Sequence, residues 1–141
     1  MTAAWAALVQ VPPVNSMSTG TFNMTCTDTC SWTLTVRGIQ DMTMAHIHQG
    51  GPTENGPVIV WLVPEEATAP ADNSLPELNP PESGDKEFKG TFGNAGLGGP
   101  ARGMTIAELR SGWASGKMQG YVNVHTTAHP AGEIRGQVMM A

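Results

Sequence analysis

Ser31-Trp32-Thr33-Leu34-Thr35-Val36-Arg37 reads as a β-strand with one buried face. Trp32, Leu34 and Val36 alternate with Ser31, Thr33 and Thr35, and successive side chains on a strand point to opposite sides of a sheet. Comparable extended runs lie on either side of it: Trp5 to Gln10, Gly20 to Thr25, Met42 to His48, Pro57 to Val63, Lys86 to Phe92, Lys117 to His125 and Glu133 to Met139. Most are bounded by Gly, Pro, Asn or Asp, and 17 Gly with 11 Pro supply the frequent turns that many short strands need. The pattern predicts an all-β fold, an antiparallel β-sandwich.

At 141 residues the chain has the length of a single domain, 1–141. Thr68 to Asp85, rich in Pro, Glu, Asp, Asn and Ser, has little that can pack and is expected to be one long exposed loop. One short helix is expected after Thr105. Thr105-Ile106-Ala107-Glu108 has the capping-box form, Ile106, Leu109 and Trp113 share one side, and Gly112 or Gly116 ends it.

Charged residues are only 13% of the chain and the net charge is -5, with no basic run, which sets nucleic acid aside as a partner. No apolar stretch reaches the roughly eighteen residues of a membrane span. The opening Met1-Thr2-Ala3-Ala4-Trp5 lacks the charged and apolar regions of a secretory leader, as expected of a mature chain. Cys26 and Cys30, in Cys-Thr-Asp-Thr-Cys, are spaced to close a disulfide across a tight turn. The rival reading, half of a zinc site, lacks a second Cys pair. Asn23-Met24-Thr25 is an N-glycosylation sequon, so the expectation is a disulfide-bonded glycoprotein, secreted, extracellular or periplasmic.

The chemistry concentrates in four histidines within two windows, Met42-Thr43-Met44-Ala45-His46-Ile47-His48 and Tyr121-Val122-Asn123-Val124-His125-Thr126-Thr127-Ala128-His129. Strand parity puts His46 and His48 on one face, with Ala45 and Ile47 facing the core. It also puts Val122 and Val124 inward and His125 outward with Tyr121 and Asn123. If the two strands approach, His46, His48 and His125 converge outside the sheet as a surface cluster, and His129 in the following loop can join as a fourth metal ligand. Imidazole suits copper, zinc, nickel and iron, and copper is the ion expected here, with zinc or nickel as substitutes. Met42 and Met44 share the parity of His46 and His48 and offer thioethers to Cu(I), although Met is also a common gap-filler. Against the metal stands the plainer role of loop-organising histidines, with His46 and His48 bracing the turn at Gly50-Gly51.

Ala45-His46-Ile47-His48, Gly56-Pro57-Val58-Ile59-Val60-Trp61-Leu62, Gly116-Lys117-Met118-Gln119-Gly120-Tyr121-Val122-Asn123-Val124-His125-Thr126 and Pro130-Ala131-Gly132-Glu133-Ile134-Arg135-Gly136-Gln137 together resemble the CHRD domain, first named from chordin. The resemblance runs from Val11-Pro12-Pro13 to the final strand. It implies an extracellular β-sandwich of poorly defined molecular function. The long acidic loop and the Cys26 to Cys30 turn depart from the pattern. A weaker likeness is to copper-zinc superoxide dismutase, a Greek-key sandwich whose His-x-His strand and later Val-His strand end would match His46, His48 and His125 as copper ligands. It leaves no counterpart for the zinc ligands. Arg135, on the last strand with outward parity, would then guide an anion or pair with Glu133 or another surface carboxylate.

Other reaction classes are poorly supported: there is no Gly-x-Ser-x-Gly elbow, no phosphate-cradling glycine loop and no suggestive carboxylate pair. Three functions remain. They are a copper-binding domain, a copper-dependent redox enzyme such as one with superoxide dismutase-like activity, and an extracellular interaction module that engages a protein partner and no metal.

Overall fold

A computed structural model describes residues 2–6, 13–65 and 76–139, with residues 2–6 described by their backbone. The elements in order are β1 (Thr2–Ala6), β2 (Thr19–Cys26), β3 (Cys30–Gln49), β4 (Val58–Val63), β5 (Glu82–Phe92), α1 (Ile106–Ser115), β6 (Gly120–Thr126) and β7 (Ile134–Gln137), with two single 3-10 turns before α1. All strand pairs are antiparallel. The all-β, sandwich-like architecture with one short helix is as the sequence predicts.

The two runs Ser31 to Arg37 and Met42 to His48 are halves of one 20-residue strand, β3. Gly38 and Asp41 take left-handed backbone between them, with φ of 64° and 53°. They shift the register against β5 without ending the strand. The first half of β3 pairs with β2 and β5, the second half with β4 and β6. Because β1 pairs with both β2 and β7, and β7 with β6, the sheet curls back on itself around a single core.

That core takes Phe22 and Met24 from β2, Trp32, Leu34, Val36, Ala45 and Ile47 from β3, Val122 and Val124 from β6 and Ile134 from β7. Alternation holds as expected in both halves of β3. At Thr105 the hydroxyl accepts the Glu108 amide, α1 buries Ile106, Leu109 and Trp113, and Gly116 closes the helix in left-handed backbone. The Cys26–Cys30 disulfide closes the β2–β3 turn.

One boundary differs from expectation, and two expected stretches lie partly outside the described residues. Of the run Trp5 to Gln10, Trp5 and Ala6 belong to β1 and residues 7–10 lie outside the described residues, as do residues 68–75 of the expected long loop. The end of that loop is strand: β5 begins at Glu82, with Glu82 opposite Met42 and Gly84 opposite Ile39. Backbone pairing there needs no apolar side chains, and the polar ones serve it, Asp85 and Ser83 accepting from the amides of Gly38 and Asp41.

Candidate metal centre

Between Met44 and Gln49, β3 pairs with β6 without interruption, so residues opposite one another share a face: Met44 with His125, His46 with Asn123, His48 with Tyr121. Ala45, Ile47, Val122 and Val124 occupy the other face, in the core. The parity read from the sequence is therefore correct for the three histidines. It fails for Met42, because the register against β6 slips by one residue between Met42 and Met44 and turns Met42 into the core.

His46 Nδ1 lies 3.2 Å from His125 Nε2. His48 Nδ1 donates to the carbonyl of Gly56 at 2.8 Å, and His125 Nδ1 to that of Pro130 at 2.9 Å. A carbonyl only accepts, so these bonds assign the proton to Nδ1 in both rings and leave each Nε2 unprotonated, that of His125 accepting from His46 Nδ1. The buried Nε2 atoms of His46 and His48 have no hydrogen-bond partner among the described residues. One nitrogen from each of the three rings lies within 4.8 Å of the other two. Among the described residues no other group of three His, Cys, Asp or Glu side chains converges in this way.

The cluster is buried, not superficial: His46, His48 and His125 are 2%, 8% and 6% exposed. Loops reaching back over this face, at Gly56 and at Pro130, supply the carbonyls and cover the rings that strand parity alone would leave at the surface. Burial, followed by the neighbouring His125 and His48 rings, pushes the His46 pKa down to about 2. Burial pushes His48 down to about 4 against the opposing Gly56 bond, and lowers His125 against the Pro130 bond. All three imidazoles are thus neutral at pH 7, which is the state that ligates a metal.

His129 stands apart from this group. Its amide donates to the carbonyl and hydroxyl of Thr126, tying it into the turn that follows β6. Arg135 also differs from expectation. It is buried, and its guanidinium donates to the carbonyls of Gly51 and Glu54 and to Asn55 Oδ1. Glu133 instead accepts from Ser16, Ser18 and Thr126, so the expected salt bridge to Glu133 is not formed.

Trp61 of β4 packs against His46 with ring centroids 3.9 Å apart, and Tyr121 stacks on His48 at 4.8 Å. Tyr121 lies on the outward face expected of it, but its stacking on His48 is not legible in the sequence, and neither is the place of Trp61. β4 reads as an unbroken apolar run, and the register that sets Trp61 opposite His46 is fixed by irregularities in the β3–β4 pairing.

The donor set fits a metal ion. Ligating histidines as a rule donate their second ring nitrogen to a carbonyl or carboxylate, as His48 and His125 do here. An all-imidazole set suits copper, zinc or nickel. Residues 1–138 match the family model of the CHRD domain. No curated protein and no solved structure matches the chain.

Proposed function

Because the chain belongs to the CHRD domain family and gathers three neutral imidazoles at one point, we propose that it is a secreted metal-binding domain whose ion is copper, held by His46, His48 and His125. The observation that carries this reading is the pair of Nδ1 to carbonyl hydrogen bonds, which leave Nε2 of His48 and of His125 unprotonated beside the His46 ring, whose Nδ1 would give up its proton when the ion binds. Such pre-set tautomers reduce the reorganisation that binding requires. A loop-organising role alone would leave the buried Nε2 of His48 unsatisfied at a cost of about 1–3 kcal/mol.

The Cys26–Cys30 disulfide and the exposed Asn23 of the sequon support an oxidising, extracellular or periplasmic location and a glycan at Asn23. A redox enzyme on the same site requires an open coordination position and a path for substrate. The burial of all three rings favours holding an ion or passing electrons over turnover.

Electron paramagnetic resonance of the Cu(II)-loaded protein tests the proposal. The expected spectrum shows nitrogen ligation that disappears in His46→Ala and His125→Ala. A spectrum identical to aqueous Cu(II) in the wild-type protein refutes it and leaves the metal-free interaction module.

A further inference from the structure

We infer that Tyr121 and Arg135 are positioning residues of the histidine centre: Tyr121 braces His48, and Arg135 places a fixed positive charge behind it that favours monovalent over divalent copper. This rests on the metal reading above and adds to it the preferred oxidation state.

The strand order β3-β6-β7 sets Tyr121 between His48 and Arg135. On one side the His48 ring stacks on Tyr121 with centroids 4.8 Å apart and planes within 5°. On the other, the Arg135 guanidinium carbon lies 3.5 Å from the Tyr121 ring centroid. A cation on an aromatic face is attracted by the ring quadrupole, more so when desolvated. Both residues also grip the loop that anchors His48. Arg135 Nη2 donates to Gly51 O at 2.6 Å and to Glu54 O at 2.7 Å. The Gly56 amide donates to the Tyr121 hydroxyl at 2.8 Å, and the Gly56 carbonyl accepts from His48 Nδ1. The consequence is a His48 ring fixed in plane by Tyr121 and fixed in tautomer by Gly56.

Arg135 is 1% exposed, and among the described residues it forms no salt bridge. Burial works against its charge, and the Glu54 carboxylate supports that charge without a direct ion-pair contact. Clipping the loop would be served by its hydrogen bonds alone. Its charge has a further effect, since at protein dielectric a nearby cation disfavours the second positive charge of Cu(II) more than the single charge of Cu(I).

The test compares Cu(I) and Cu(II) affinities, measured by competition with chromophoric chelators, in wild type, Arg135→Gln and Arg135→Lys. Arg135→Gln is expected to bind one copper and to shift the affinity ratio toward Cu(II) about tenfold, equivalent to about 59 mV for a one-electron couple. Arg135→Lys, which keeps the charge, is expected to stay near wild type. Tyr121→Phe, which keeps the ring and loses the hydroxyl bond to Gly56, is expected to leave the ratio unchanged and to broaden the Cu(II) hyperfine lines. In the metal-free protein it should also weaken the His48 Nδ1–H signature in long-range 1H–15N spectra. Copper bound with an unchanged ratio in Arg135→Gln overturns the charge role, and unaltered His48 spectra in Tyr121→Phe overturn the bracing role. A wild-type protein that holds no copper overturns the metal reading and this inference with it.

Discussion

His46 Nδ1 and His125 Nε2 face each other at 3.2 Å across the β3–β6 pair, although 79 residues separate them in the chain. One proton suffices to bridge the two nitrogens in the metal-free protein, and on the proposed reading a metal would replace it. The contact therefore ties the antiparallel register to the proposed chemistry, and substitutions at either end should have the same consequence. His46→Ala and His125→Ala are each expected to weaken copper binding by more than about 100-fold, above the 10- to 100-fold typical of losing an outer-shell partner. His48→Ala should do likewise, and His129→Ala should leave affinity within about twofold. Chelator competition on the four variants separates these outcomes. Intact binding in His48→Ala would contradict the same-face argument.

Acid should destabilise the metal-free protein. His46 and His48 have folded pKa values of about 2 and about 4 against an unfolded 6.5, so below pH 6.5 the unfolded chain takes up protons that the folded chain refuses. Stability is full above pH 6.5 and falls as the pH drops toward 4, with His48 alone accounting for about 3 kcal/mol at the end of that range. Urea unfolding at pH 7.5 and 4.5 measures the loss, and His48→Gln should reduce it. Equal midpoints at the two pH values would contradict the burial of neutral imidazoles.

Gly56→Ala is expected to damage the fold and the site together. A Cβ at Gly56 would overlap the carbonyl oxygen of Gln49, and the same residue supplies the acceptor for His48 and the donor for Tyr121. A loss of about 2 kcal/mol or more is expected, with weakened copper affinity in whatever folds. Thermal unfolding with and without copper gives both readings.

Reducing the Cys26–Cys30 disulfide should cost stability but not the site. The loop it closes is short, with a sequence separation of 4, so chain entropy limits the effect to about 2 kcal/mol. The bond belongs to the β2–β3 turn, at the end of β3 remote in sequence from His46 and His48. Copper stoichiometry should be unchanged in the Cys26→Ser, Cys30→Ser protein, and a lost site would show that the turn supports it.

Much of this is legible in the sequence. Parity placed His46, His48 and His125 correctly because the β3–β6 ladder has no slip between Met44 and Gln49. The capping box at Thr105 and the stripe of Ile106, Leu109 and Trp113 are local signals, and they survived folding. What was not readable depends on contacts distant in sequence. Met42 crosses to the core through a register slip that leaves no mark on residue types. Arg135 is turned from an outward charge into a buried one by the loop at residues 51–56, whose folding over β6 and β7 no periodicity reports. The same loop and the Pro130 turn bury histidines that parity alone would leave on the surface.

The most direct measurement is metal content by mass spectrometry after dialysis of the protein against Cu(II), Zn(II) and Ni(II), beside a chelator-treated control. The predicted result is close to one copper per chain, absent from His46→Ala and His125→Ala. Retention of no metal above the control would contradict the account and return the three histidines to a purely structural role.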